Sequence, residues 1–82
     1  MPKKQTKYQK LVELGRKAVE GMEAAGAAEE KAIVAGDRRA AEEYRADWLI
    51  HIGKKYAYAS AALFLFDVYS AEFYKQIGYK EV

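Results

Sequence analysis

The sequence predicts an all-α protein in which two long helices pack side by side as an antiparallel hairpin. Alanine, glutamate, lysine, leucine and arginine are abundant in its 82 residues, and the only proline is Pro2, so helix propensity is high nearly everywhere. No alternation typical of strands competes with it. Gly36 separates two segments whose apolar residues recur at helical spacing. We expect one helical domain over residues 1–82, with a basic segment at 1–6 and a short tail at 79–82.

The first helix is expected to span residues 7–35. Thr6 and Gln9 have the spacing of a capping box, in which the hydroxyl and the glutamine side chain each bond a free backbone amide. Residues within about 60° of one helical line predict the buried face: Tyr8, Leu11, Gly15, Ala18, Val19, Met22, Ala25, Gly26 and Ile33. Much of this face is glycine and alanine, so it predicts a close approach by bulkier residues of another helix.

A short turn is expected at residues 35–37, followed by a second helix from 38 to about 77. Gly36 can adopt the left-handed conformation that ends a helix, and Asp37 can cap the next helix. Because the turn is so short, the two helices should be antiparallel neighbours. Gly78 offers the final stop. The alternative is a break at Gly53, the one plausible position for it, which would give a three-helix bundle instead.

The second helix is expected to present a bulky stripe to the small residues of the first. The stripe comprises Ala41, Tyr44, Trp48, Ile52, Ala59, Ala62, Leu63, Phe66, Tyr69, Phe73 and Ile77. Glu29 and Lys55 interrupt the two buried faces. Counted outward from the turn, Glu29 comes level with Tyr44 and Arg45, so we expect a hydrogen bond or an ion pair there. Lys55 has no evident partner, and we expect its side chain to extend to solvent.

A second apolar seam on the far side of this helix predicts contact with another chain. It follows the four-and-three spacing of a coiled coil: Ala57, Ala61, Phe64, Val68 and Ala71. One hairpin cannot cover both sides of a helix. The second helix is also longer, roughly 60 Å against 42 Å at 1.5 Å per residue, so its end should overhang without an intrachain partner unless the tail folds back. The expected interface residues are therefore Ala57, Ala61, Phe64, Val68, Tyr69, Phe73, Tyr74 and Ile77.

Catalytic and metal-binding chemistry is not expected. The chain has no cysteine, which excludes a thiolate nucleophile, a disulfide framework and the usual cysteine-rich zinc site. Glu43 and Asp47 precede His51, the single histidine, but a carboxylate-bridged metal site needs Glu-x-x-His pairs on facing helices. Neither Ser60 nor Ser70 has a histidine near it on its helix, and the glycines lack a phosphate-binding spacing. We therefore predict no catalytic residue, no metal and no cofactor.

A line of lysines follows one edge of the first helix. Lys3, Lys10 and Lys17 recur every seven residues, with Lys7 nearby. Such a line can bind nucleic acid or an acidic protein surface by counterion release. Two nearby glutamates partly neutralise it, and the net charge of the whole chain is only +2. An ordinary solvated helix edge is therefore the alternative interpretation.

The sequence favours a non-enzymatic protein–protein interaction module that associates with itself or docks on a larger protein through its aromatic C-terminal half. Ten of the eleven aromatic residues lie after residue 43, and tyrosine suits interfaces. One alternative is a small stoichiometric inhibitor or adaptor of a larger machine, of the kind that phages and mobile elements encode. The other is a nucleic-acid-associated accessory protein that uses the lysine edge.

The compartment is expected to be the cytoplasm, without a membrane span. The longest uncharged run, residues 56–66, has 11 residues, whereas a helix that crosses a bilayer needs about 20. The basic N-terminus is not followed by the apolar stretch of a secretory signal. A cysteine-free composition fits a reducing compartment.

Overall fold

Three helices make up the part of the chain that the computed structural model describes, residues 5–80. Helix α1 spans Lys7–Val34, α2 spans Arg38–Phe66 and α3 spans Ser70–Ile77. The helices α1 and α2 pack along each other as a hairpin, and the short α3 folds back against both. The all-α hairpin predicted from the sequence is confirmed. None of the helices within residues 5–80 is long and apolar enough to cross a bilayer.

The local signals at the start of α1 and at the hairpin turn are both present in the structure. The Thr6 hydroxyl accepts a hydrogen bond from the Gln9 backbone N–H at 3.1 Å, and the Gln9 side chain accepts from the Thr6 N–H at 2.8 Å. Gly36 is left-handed, with φ 76°. The Asp37 carboxylate accepts from the Ala40 N–H at 3.1 Å and so caps α2.

The predicted end of the second helix is wrong, because the chain turns a corner at residues 67–69. Helix α2 ends at Phe66 instead of continuing to about residue 77, and it runs unbroken through Gly53. Asp67 is left-handed, with φ 57°. Its backbone N–H and that of Val68 donate to carbonyls of the last turn of α2, both at 3.1 Å, which closes the helix. The third helix of the alternative interpretation is therefore present, but it begins after this corner and not after Gly53.

Folding back of α3 gives the hairpin a three-helix core at one end. Phe73 is fully buried, Ile77 is 3% exposed and Tyr74 is 8% exposed. Ile77 and Phe73 lie over Gly15 of α1, where an added Cβ would come within 2.7 Å of the Ile77 Cγ2 and 3.1 Å of the Phe73 ring. The expectation that these three residues overhang without an intrachain partner is therefore wrong, since the corner at Asp67 returns them to their own hairpin.

Lys55 also lies in this core, which contradicts the expectation that it extends to solvent. Its residue surface is 1% exposed. Its ammonium lies 3.6 Å from the ring centroid of Tyr79, 4.2 Å from that of Tyr56 and 5.1 Å from that of Tyr74. A cation over aromatic faces is stabilised by the ring quadrupoles. The residues that return through the corner supply two of these three rings.

The other end of the hairpin, around the turn, has only two layers. Between residues 22 and 50 the buried positions are Ala25 and Ala32. The Arg45 guanidinium lies 3.8 Å from the Glu29 carboxylate, so the ion pair predicted at this level is confirmed. Val34, beside the turn, is 84% exposed. At this end the fully buried residues are small, and larger residues such as Trp48 are only half-buried.

Candidate protein-binding face

One side of α2 is exposed and uncharged over most of its length. We call it the outer face, and it consists of Ala46, Leu49, Ile50, Gly53, Tyr56, Ala57, Ser60 and Phe64. These residues fall within about 60° of one line at 100° per residue. All eight are exposed. The opposite side of α2 carries its buried residues, Lys55, Ala59 and Ala62, which pack against α1 and α3.

Large apolar side chains dominate the exposed area of the outer face. Phe64 is 85% exposed, and Leu49, Ile50 and Tyr56 are each more than half exposed. The four residues together leave on the order of 500 Å² in water, which is the size of the largest apolar patch on a typical monomer and often marks an interaction site. The structure leaves this surface uncovered because α2 is apolar on two sides and α1 and α3 cover only one.

Charged residues of opposite sign flank the outer face along one edge. Asp47 and Lys54 lie seven residues apart, two helical turns, and both are exposed. Neither forms an ion pair within residues 5–80, where the pairs are Lys17 with Glu13, Arg39 with Glu43, and Arg45 with Glu29. Leu49 and Tyr56, also seven residues apart, form the other edge. The face is thus apolar in its middle and has a charged edge available to a partner.

The structure separates the predicted interface residues into three groups. Phe64, Tyr69 and Ala57 are exposed, and Ala61 is half-buried at the edge of the outer face; their contact with another chain stays a prediction. Val68 is half-buried and packs against the core. The remaining three, Phe73, Tyr74 and Ile77, are buried within the chain and are therefore not part of the candidate binding face.

Sequence reasoning missed the N-terminal half of the outer face. The predicted interface residues do not include Leu49, Ile50 and Gly53, because the apolar seam predicted from the sequence begins at Ala57 and runs toward the C-terminus. The signal that could have found them is the seven-residue repeat Ile50, Ala57 and Phe64, which continues backward within one helix. In the forward direction the repeat stops at the corner.

The lysine edge of α1 is exposed but partly neutralised. Lys7, Lys10 and Lys17 are exposed, whereas Lys3 lies outside the described residues. The Lys17 ammonium lies 3.7 Å from the Glu13 carboxylate, which also accepts a hydrogen bond from the Gln5 side chain at 2.9 Å. These contacts, the Gln5 hydrogen bond first, hold the pKa of the Glu13 carboxyl below its usual value. Binding of nucleic acid or an acidic surface along this edge stays a prediction.

Two titratable side chains outside the outer face, those of His51 and Tyr8, contact a neighbouring helix. His51 packs over Gly21, where an added Cβ would come within 2.5 Å of the imidazole ring. Its Nδ1 is buried without a hydrogen-bond partner among residues 5–80. Within the same residues no group of three or more potential metal ligands lies together. Burial raises the pKa of the Tyr8 phenol, which donates to the Gln76 side chain and so ties α1 to α3.

Comparison of the chain with family models, with curated proteins and with solved structures finds no match. The outer face of α2 and the buried core at the α3 end are therefore the features that bear on function.

Proposed function

We propose that this protein is a non-catalytic interaction module that binds another protein chain through the outer face of α2. The observation that carries the proposal is the 85% exposure of Phe64, at one end of an uncharged face that begins at Ala46. Burial of apolar area is the main driving force of protein association. A cytoplasmic setting is part of the proposal, since the chain has no cysteine.

The packing of α3 supports the choice of this face over the C-terminal aromatic residues. Phe73 and Ile77 are already buried against Gly15, so they are not available to a partner unless the core opens. The outer face needs no such rearrangement, because its side chains already lie in water. A rigid helix that presents apolar side chains at regular spacing is a common way to bind a second helix.

The lysine edge gives weaker support to the nucleic-acid alternative. Lys17 is already paired with Glu13, and Lys7 and Lys10 are exposed and form no ion pair within residues 5–80. Nucleic-acid binders generally carry denser basic clusters than this. The apolar face requires a cover, whereas an exposed lysine does not, and we therefore favour a protein partner.

Site-directed photocrosslinking in cells that produce the full chain tests the proposal. A photoreactive phenylalanine analogue replaces Phe64, and in the matched control it replaces Val34, which is equally exposed at the turn. We expect an adduct from position 64 and none from position 34. We also expect Ile50→Glu in the same chain to abolish the adduct, because it places a charge in the middle of the outer face.

Three results would contradict the proposal. They are the absence of an adduct at position 64, equal adducts from positions 64 and 34, and an adduct that persists with Ile50→Glu while the chain stays helical by circular dichroism. The mass of the adduct identifies the partner as a second copy or as a different protein.

A further inference from the structure

We infer that the occupant of the outer face is a second copy of this chain, with the two α2 helices antiparallel and crossing a twofold axis near His51 and Ile52. The inference rests on the proposed function and deepens it by naming the partner. It is carried by three observations: the small residues that separate the large ones along the face, the order of the charges at its edge, and the exposed area.

Small residues separate Ile50 from Phe64 along the middle of the outer face, and this order fits a reversed second copy. Ala46, Gly53 and Ser60 recur every seven residues, and so do Ile50, Ala57 and Phe64. In an antiparallel pair, residues of the first series pack against residues of the second. With the two helices fully overlapped, Ile50 lies level with Gly53 of the second copy and Ala57 with its Ala46. Small residues at these levels allow the helix axes to approach to about 8 Å.

The ends of the overlapped helices are also matched. Phe64 comes level with Arg39 of the second copy, and a guanidinium over a phenylalanine ring is a favourable contact. Glu43 comes level with Ser60, whose hydroxyl can donate to the carboxylate. Arg39 and Glu43 are both exposed, and among residues 5–80 their one ion pair is with each other, at 3.7 Å, so both side chains can turn toward the partner.

The charged edge selects this alignment. In the overlapped antiparallel pair Asp47 lies beside Lys54 of the second copy, and the twofold axis repeats the pair. Leu49 lies beside Tyr56 on the other edge, again twice. A slide of seven residues toward the C-terminal end would instead place the two Lys54 side chains against each other. Electrostatic complementarity of this kind fixes the register of paired helices.

The area is sufficient for a specific dimer. Leu49, Ile50, Tyr56 and Phe64 each expose more than half of their surface. Pairing two copies would remove on the order of 1,000 Å² from water through these residues alone, which reaches the lower bound for a specific interface. A second copy satisfies each contact twice with one set of residues, whereas a foreign helix would need the complementary pattern in its own sequence.

Sedimentation equilibrium of the full chain over a wide concentration range tests the inference. We expect a reversible dimer, weakened about a hundredfold or more by Ile50→Glu. Asp47→Lys places two lysines against each other and is expected to weaken the dimer about tenfold, more at low salt. The double variant Asp47→Lys with Lys54→Asp restores the opposite charges and should recover the wild-type affinity. Glu23→Lys, the same charge change on an exposed residue of α1, should have no effect.

Circular dichroism of each variant separates loss of pairing from loss of folding. If Ile50→Glu loses helicity, Ala57→Arg replaces it, because Ala57 is exposed and lies at the centre of the face. A wild-type chain that stays monomeric throughout overturns the inference, and a heterologous adduct at position 64 would then leave the proposed function intact. A dimer that ignores the charge reversal, or that the double variant fails to restore, also overturns the stated pairing.

Discussion

The two ends of the hairpin are built from the same helices, yet they differ in how their side chains are covered. At the α3 end, Phe73 and Ile77 are buried over Gly15, and Lys55 is enclosed by aromatic rings. At the turn end, Ile33 is 62% exposed and the buried positions are alanines. The third helix covers one end, and nothing in residues 5–80 covers the other to the same degree.

This difference teaches where the stability of a small helical chain comes from. A pair of helices buries one stripe of each and leaves the remaining sides in water. An added short helix converts half of that pair into a core, because it contributes large residues to a groove lined by small ones. We therefore expect the free energy of unfolding to depend mainly on residues at the α3 end. Apart from Tyr56, whose ring contacts the Lys55 ammonium, the outer face of α2 lies outside that core.

The largest effect is expected from truncation of the central core residue. Phe73→Ala should lower the free energy of unfolding by about 3–5 kcal/mol, since it removes a fully buried ring. Ile33→Ala at the turn end should change it by less than about 0.5 kcal/mol, because Ile33 is mostly exposed. Urea titration followed by circular dichroism measures both. Equal decreases in the free energy of unfolding would contradict the claim that the α3 end contributes more to stability than the turn end.

A matched pair of glycines sharpens the comparison. Gly15→Ala should destabilise the protein by about 1–3 kcal/mol, because the new Cβ would meet Ile77 at 2.7 Å and Phe73 at 3.1 Å. Gly26→Ala meets the Trp48 ring only at 3.6 Å, and should stabilise the protein by up to about 1 kcal/mol through helix propensity. Thermal unfolding of the two variants measures the opposite signs. A gain in stability at Gly15 would mean that α3 does not pack as closely as described.

The smallest effect concerns the cation–π contacts at the two ends. Tyr79→Leu should cost about 1 kcal/mol, since it removes the ring nearest to the buried Lys55 ammonium, at 3.6 Å. Tyr79→Phe keeps the ring and should cost less. At the turn end Arg45 stacks on Trp48 at 5.1 Å in an exposed position, and Arg45→Gln should cost at most about 0.5 kcal/mol. Urea titration measures the loss of unfolding free energy in each variant. Equal losses for Tyr79→Leu and Arg45→Gln would contradict the expected difference between the two ends.

The hairpin of α1 and α2 could be predicted from the sequence because its signals are local. The capping box at Thr6 and the turn at Gly36 depend on residues within a few positions of each other, and both are confirmed. The ion pair between Glu29 and Arg45 followed from counting residues outward from that turn. Such signals need no knowledge of the rest of the fold.

The corner between α2 and α3 could not be read in the same way. No glycine or proline marks it, and Asp67 is the residue that takes the left-handed conformation. Aspartate is one of the few residues that tolerates this conformation, but it occurs in many other contexts. The corner is stabilised because it lets Phe73 and Ile77 pack over Gly15. This packing is a tertiary interaction between residues far apart in the sequence. Gly53 stays helical because no comparable gain follows from a break there.

The interface residues were predicted only in part, because their exposure also depends on the corner between α2 and α3. Phe64 and Ala57 lie on the exposed side of α2 whether or not the helix continues beyond residue 66. The prediction of Tyr74 and Ile77 as interface residues depends on an unbroken helix that carries them past the end of α1. Once α3 folds back, the apolar repeat that remains runs from Phe64 backward to Ile50 and Ala46.

Disulfide crosslinking tests the antiparallel pairing of α2 most directly, because the natural chain has no cysteine. In the proposed dimer Ala46 lies level with Ala57 of the second copy, whereas the two Ala57 residues lie about 16 Å apart along the helices, too far for a disulfide. We predict that Ala46→Cys and Ala57→Cys chains oxidised together form a covalent dimer, and that each variant alone does not. A covalent dimer of Ala57→Cys alone, or no crosslink in the mixture, would contradict the account.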